Sequence, residues 1–523
     1  MATISLPKVS ITLTSAQTDS DNTPKKVLLL GQQNGGTATS NTLVTNITST
    51  SAANTLFGTR SMLATMFRAA KTYDDQNLVT VDCIPLDDVD SGSGGVAATG
   101  AIAFSGTATE SGTMVIYIQS RTLDYKLSLN IVVGDAASDI ASSLASTLSS
   151  NSYTLCVAEA DTGTVTLTCT HTGTVGNDLF IYIDAIPSGI TTTITAFTGG
   201  SGDPDLTDIF DLVEDQRYHR IIYPYMGQVD ILQTYVDSLW NTDSGDILDG
   251  VGIVGATDTL ANFTDPDGAY ALNSNCINVI ANKPITTTTT TAGGAIGELN
   301  AVLQTLAGMR YAKFLTDNAS LTSNLANTSI GDLYGGTYRA PFPYFNSVFP
   351  SLPTILNYLG WTKSEQNTLT TAGISYYGNN SSNTYLIMGQ QVTTYLTDSD
   401  GNSDSTWHFL NSVDTASNVR EYFQNNVKSR YAQAELTTGY APPGILMAST
   451  DSIKSYLFTL YKELATTYGL TVYSSDAYNA FSTNSTVTIS DAEAGIVNCT
   501  VPAYIVSQLR AIYVTIAISF SVG

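Results

Sequence analysis

The most regular pattern in the chain lies at its end, where Ile512, Val514, Ile516, Ile518, Phe520 and Val522 alternate with Ala511, Tyr513, Thr515, Ala517, Ser519 and Ser521. A strict period of two predicts a strand with one apolar face. Such a strand either pairs within its own domain or adds to the sheet of another subunit. At the other end the alternation is shorter: Ile4 and Leu6, then Val9, Ile11 and Leu13, interrupted by Pro7 and followed by the polar run SAQTDSDNTP. This predicts an extended arm over residues 1–20.

Between these ends the apolar spacing switches between the strand and helix periods. Lys26–Gly31 (KVLLLG) is a continuous apolar run of the kind a buried strand shows. Leu56–Ala70 carries Leu63, Met66 and Phe67 at helical spacing, and Leu78–Pro85 (LVTVDCIP) is a second strand. Strand, helix, strand opens an α/β layer. From about Gly94 to Gly202 the texture changes to short Val/Ile/Thr strands with Gly turns, broken by one helix near Ala136–Leu148. This block reads as an inserted β-rich domain bounded by SGSGG and GGSGDPD, joints of flexible composition.

The α/β rhythm then resumes with helix Asp205–Glu214, strand Arg220–Tyr225, helix Val229–Trp240, and strands Val251–Gly255 and Ile277–Ala281. A spacer of six threonines, Thr286–Thr291, precedes a helix over Ala295–Thr316. Residues 330–362 are loop-rich, and SEQNTLTTAG predicts a helix ended by Gly373. A hairpin at Asp398–Asn402 leads to two amphipathic helices. Ala416–Leu436 turns Val419, Phe423 and Val427 inward; Asp451–Tyr468 turns Ile453, Leu457, Leu460 and Leu464 inward and stops at Gly469.

The expected fold class is therefore a mixed α+β and α/β multidomain chain. An arm (1–20) precedes an α/β layer split into 21–93 and 203–365 by a β-rich insertion (94–202). A C-terminal α+β domain (366–508) and a C-terminal strand arm (509–523) complete it.

Composition narrows the function. A chain of 523 residues exceeds the size at which one core stops growing. With 43% hydrophobic residues and a mean hydropathy of +0.06, it has ample core material. Charged residues make up only 13%, about half the usual share. The surface is therefore Ser, Thr, Asn and Gly with 29 tyrosines, a polar surface that desolvates more cheaply than one rich in Lys and Glu. A net charge of −24 leaves no basic footprint for nucleic acid or anionic membranes. The opening MATISLPKVS shows no basic segment followed by an apolar run, and no stretch is long enough to span a bilayer, so a soluble, unexported chain is expected.

Candidate chemistry is sparse. His171, His219 and His408 have no metal-type or triad-type neighbours in sequence and read as structural. Gly250, Gly252 and Gly255 spell G-x-G-x-x-G, yet apolar residues lie between them, so the motif is the strand and does not follow one, as a dinucleotide site requires. Asp398, Asp400, Asn402 and Asp404 form an acidic turn without the bidentate Glu of a calcium loop. Cys156 and Cys169 flank a hairpin with a Thr162-Gly163 turn that sets them opposite each other, either as two small buried residues or as a disulfide. Cys83, Cys276 and Cys499 carry no ligand spacing. No catalytic, cofactor or metal site is expected, and the chain reads as a structural subunit rather than an enzyme. The competing reading, a secreted surface-array or adhesin subunit, fits the Ser/Thr-rich acidic composition but expects an export signal.

Several segments, in order, resemble the contractile tail sheath proteins of Mu-like myophages. They are KKVLLLGQ with LFGTRSMLATMFRAA, GVAATGAIAFSGTATESGTMVIYI, HTGTVGNDLFIYI with GGSGDPDLTDIFDLVEDQRYHRIIYPY, TLTTAGISYY, VTTYLTDSDGNSD, NVREYFQNNVKSRYAQAEL and VPAYIVSQLRAIYVTIAISF. The resemblance covers nearly the whole chain. It implies hexameric rings stacked around an inner tail tube, a C-terminal domain lining that tube, and terminal arms that add strands to neighbouring subunits. Its implied partners are copies of itself, the tube protein, and baseplate and tail terminator proteins, in a virion tail assembled in the host cytoplasm. Lys454 and Lys462 lie on the helix that would face the tube. The sparse charge and abundant Tyr depart from the family, which weakens a charge-based contact there.

Overall fold

The computed structural model describes residues 8–13, 25–75, 77–120, 125–214, 216–240, 247–285, 292–294, 297–319, 348–353, 360–379, 385–431, 433–438, 447–491 and 496–506. The chain divides into two compact units, Asp21–Thr328 with Tyr344–Leu410, and Asn411–Gly523 with Met1–Ser20 and Ser329–Pro343. The first strand, β1 (Lys8–Leu13), belongs to the C-terminal unit.

The larger unit opens with β2 (Lys26–Gln32), α1 (Thr50–Phe57), α2 (Met62–Tyr73) and β3 (Thr80–Leu86). The insertion contains β4 (Ala97–Gly106), β5 (Gly112–Ile118), β6 (Lys126–Ile131), α3 (Ala137–Ser150), β7 (Cys156–Asp161), β8 (Thr164–Thr172), β9 (Ile181–Ala185) and β10 (Ile190–Thr198). The layer then continues with β11 (Arg220–Ile222), α4 (Val229–Leu239), β12 (Val251–Thr257), the single turn α5 (Leu260–Phe263) and β13 (Ile277–Asn282). It ends with β14 (Ala292–Gly293), α6 (Asn300–Ala319), β15 (Val348–Pro353), α7 (Lys363–Thr371), β16 (Ile374–Asn379) and β17 (Tyr385–Met388).

One eight-stranded sheet organises this unit, in the order β15-β17-β16-β13-β12-β11-β2-β3. Its six strands from β16 to β3 are parallel, while β17 and β15 continue antiparallel. Val27, Leu28, Leu29 and Leu30 are all buried, which explains the unbroken apolar run: a strand covered on both faces has no polar side to alternate with. The insertion folds as two four-stranded sheets, β10-β4-β8-β7 and β14-β9-β5-β6, the short β14 being lent by the chain beyond it. Its two crossings run side by side, with Val96 bridged to Ser201 and the Gly173 N–H directed at both their carbonyls (3.1 Å each). The Gly/Ser joints read as flexible in sequence are thus tied by backbone hydrogen bonds.

Four expectations shift. The single helix over Leu56–Ala70 is two, α1 and α2, because Gly58 takes φ +85° and Ser61 caps the new start, its Oγ accepting from Ala64 N. Only a 3₁₀ turn, Ile209–Val213, replaces the helix over Asp205–Glu214. Asp205 Oδ1 there accepts from both the backbone N–H and the hydroxyl of Thr207, a local bond that competes with helix formation. Strand β15 lies within the loop-rich 330–362. The sheet also runs past residue 365, since β16 pairs with β13, so the compact unit extends to Leu410 and not to the boundary expected at 365/366. The threonine run Thr286–Thr291 lies outside the described residues.

The C-terminal unit contains α8 (Leu410–Tyr431), β18 (Glu435–Leu436), β19 (Met447–Ala448), α9 (Thr450–Glu463), α10 (Ser475–Asn484), β20 (Thr486–Asp491) and β21 (Ile496–Pro502). Its core gathers Val419, Phe423 and Val427 of α8, Ile453, Leu457 and Leu460 of α9, Phe481 of α10, and Val497, Cys499 and Val501 of β21. Helix α9 passes into a π turn, Leu464–Tyr468, before Gly469 at φ +64° ends it.

Gly58 tests the corner between α1 and α2. A Cβ there would sit 1.7 Å from Asn34 O, at a φ that L residues rarely adopt. Gly58→Ala is expected to destabilise the larger unit by about 1–3 kcal/mol, read as a lower midpoint in urea unfolding.

Candidate functional site

Each residue singled out for chemistry is absorbed by the fold. His171, at the end of β8, is fully buried; its Nε2 accepts the Met62 N–H (3.0 Å) and its Nδ1 meets Asp88 Oδ1 (2.9 Å), which places the ring proton on Nδ1. His219 accepts the Lys26 N–H at Nδ1 (3.2 Å). Burial, reinforced by Arg217, Lys25 and Arg220, holds His219 well below the ordinary imidazole range, so it stays neutral. The ring of His408 lies edge-on to Phe409 at 4.8 Å. Gly252 and Gly255 lie within β12, where added Cβ atoms would strike Leu232 and Gln304, so these glycines make room for packed side chains.

The acidic turn closes on itself. Asp398 Oδ1 accepts the N–H groups of Asp400 (3.0 Å) and Asn402 (2.8 Å), while Asp404 accepts from Thr406 and from Tyr395 Oη. Among the described residues, no group of three His, Cys, Asp or Glu is placed to hold a metal ion, and no helix is long and apolar enough to cross a membrane. Cys156 and Cys169 stand directly opposite each other in the β7–β8 register with Thr162 at φ +57°, and both are buried free thiols. Burial raises both, Cys169 to about 12, so neither is a ready thiolate.

The C-terminal unit carries a three-stranded antiparallel sheet, β1-β21-β20. Register sets Val9 opposite Val501, Ile11 opposite Cys499 and Leu13 opposite Val497. Val497, Cys499 and Val501 are all buried in the unit's core. The N-terminal strand thus occupies the second edge of β21, while β20 fills the first. Ile4, Leu6 and the entire alternation from Ile512 to Val522 lie outside the described residues.

Lys454 and Lys462 are both on α9, half-buried and exposed respectively. Lys462 Nζ lies 4.3 Å above the Phe458 ring and 5.7 Å from that of Tyr478, which in turn meets Tyr473 at 5.8 Å. Tyr473 is 71% exposed, so this corner presents aromatic surface together with one cation. Arg430 makes the equivalent contact with Tyr456, at 4.3 Å. The sequence reading passed over β20, β21 and α10, although Val497, Cys499 and Val501 stand at a period of two.

No family model matches the chain. It is 23% identical over 451 residues to the Mu-like prophage FluMu tail sheath protein of Haemophilus influenzae, an alignment covering 84% of this chain and 82% of that one. Among solved structures, a sheath tail protein of Listeria innocua superposes with a TM-score of 0.45 at 13% identity, covering 94% and 93% of the two chains. A chain of the anti-feeding prophage baseplate gives 0.35 at 12% identity, covering 62% and 77%. The sequence relationship spans more than four-fifths of both chains, so this chain is similar over most of its length to a Mu-like prophage tail sheath protein.

Proposed function

We propose that this chain is the repeating subunit of a contractile sheath, forming rings of six copies stacked around an inner tube and driving that tube through the host envelope on contraction. The single observation that supports the linkage is the occupied edge of β21. A six-residue strand from the opposite end of the sequence completes the sheet there by backbone pairing. Main-chain hydrogen bonds do not distinguish which copy supplies the strand, so a neighbour's arm fits the same edge. Each such bond contributes about 0.5–1.5 kcal/mol net, and a few of them hold a joint that pivots without parting. The residues from Ile512 to Val522 supply the second linking strand.

Contraction then needs no nucleotide. An extended lattice whose contacts between copies improve on shortening releases its own driving energy, and the subunits move as rigid bodies on their arms. The α9 surface around Lys454 and Lys462 faces the tube, with tyrosines supplying contact area where ion pairs are few. Baseplate and terminator proteins bound the stack at its two ends.

Deleting residues 512–523 is expected to leave a folded subunit that forms no tubes in negative-stain micrographs. Tubes of ordinary length from the truncated chain would overturn the arm assignment, and loss of cooperative melting would place that strand within its own fold. For the tube face, Lys454→Glu with Lys462→Glu is expected to weaken co-sedimentation with tube protein about fivefold or more at low salt, less so at high salt, while changing subunit stability by less than about 1 kcal/mol. Unchanged co-sedimentation assigns the tube contact elsewhere.

A further inference from the structure

The insertion sits on the carboxyl edge of the parallel strands, where open α/β sheets ordinarily leave a ligand crevice. Three contacts make this seat. At the end of β2, Gln32 Nε2 donates to Thr172 O of β8 (2.7 Å) and to Asp88 Oδ1 (2.6 Å), which also meets His171. At the end of β12, Thr257 Oγ1 donates to Asp178 of the insertion (3.3 Å) and accepts from Asn300 Nδ2 (2.9 Å), and Asn282 at the end of β13 donates to Asn300 Oδ1. Just before α6, Glu298 Oε2 accepts from Ser120 Oγ at the end of β5 (2.5 Å), while its Oε1 accepts the Leu299 N–H.

Two of these contacts place a carboxyl group at the seam from opposite sides, the half-buried Asp178 from the insertion and the buried Glu298 from the sheet unit's own chain. Neither has an ion-pair partner among the described residues. Asp178 faces another acid, Asp203, and the Tyr270 hydroxyl, itself bonded to Asp258; Glu298 faces the buried Tyr125, whose own charged neighbour is Arg68. A buried carboxylate without a cation is costly, whereas a buried carboxylic acid both accepts and donates.

We propose that the insertion is seated on the sheet by two protonated acids, Asp178 and Glu298, so that the seat is tight at mildly acidic pH and loosens as those protons leave. Burial raises each carboxyl to about 7, against hydrogen bonds that only partly offset it. When the insertion lifts away, solvent returns both acids to their ordinary range near 4. The seated state therefore holds more protons between about pH 4 and 7. Seating weakens as pH rises through that window and levels off above it. Each acid changes the seating equilibrium by up to about tenfold per pH unit, and the two together by up to about a hundredfold.

The test compares the wild type with Asp178→Asn/Glu298→Gln, which keeps the shapes but cannot ionise. Backbone hydrogen exchange across β8 and the turn Thr174–Asp178, corrected for intrinsic rates, reads the opening at pH 5.5, 6.5 and 7.5. The wild-type to variant ratio of opening is expected to rise at least tenfold over that range; a ratio independent of pH overturns the proposal. Should the variant fail to fold, carboxyl carbon NMR of the full-length wild type decides. Two carboxyls titrating near neutrality support the seat, and titration of every carboxyl below pH 5 refutes it.

Discussion

A polar side chain at the carboxyl end of a buried parallel strand has to find a partner, since leaving it unsatisfied costs about 1–3 kcal/mol. Gln32, Thr257 and Asn282 end three such strands and are largely or fully shielded from water. In many α/β proteins a ligand satisfies that edge. Here the inserted domain meets two of the three, Thr172 O accepting from the Gln32 amide and Asp178 from Thr257, while Asn300 of α6 accepts from the Asn282 amide. The position of the insertion in the chain follows from this. It leaves after β3 and returns before β11, so both crossings lie together near the place where the strand order reverses, between β2 and β11. An edge that carries a ligand in many α/β proteins here carries a domain.

The C-terminal unit rests on a different device. Its helices α8, α9 and α10 bury one face of a sheet whose middle strand, β21, has two neighbours: β20 from the adjacent sequence and β1 from the far end of the chain. A three-stranded sheet with a covered face is near the lower limit of independent stability. The strand that completes it comes from the opposite end of the chain.

Charge plays a small part in both. With 13% charged residues and a net −24, the protein relies on hydroxyl and amide groups bonded to its own backbone, such as Asn177 with Gly200 and Asn273 with Leu396 and Thr397. Its cations are placed over rings, as Arg430 on Tyr456 and Lys462 on Phe458. Such contacts survive salt better than exposed ion pairs.

Periodicity alone was enough for β2, β3, α4, β12, β13 and the inward faces of α8 and α9, because burial of one face is imposed by residues only two to four positions apart. The opposed Cys156 and Cys169 followed from a two-residue turn. The split of the layer by the insertion was legible from the change of texture at about Gly94 and Gly202. Local chemistry misled where a turn bond outbid helical spacing, at Gly58 and at Asp205. The seat of the insertion was invisible. Its pairs lie 140, 79 and 178 residues apart, and nothing near Gln32, Asp178 or Glu298 marks them as partners. The same holds for β1 on β21: the alternation announces a strand, but which edge receives it depends on backbone groups left open by the folding of the opposite end of the chain.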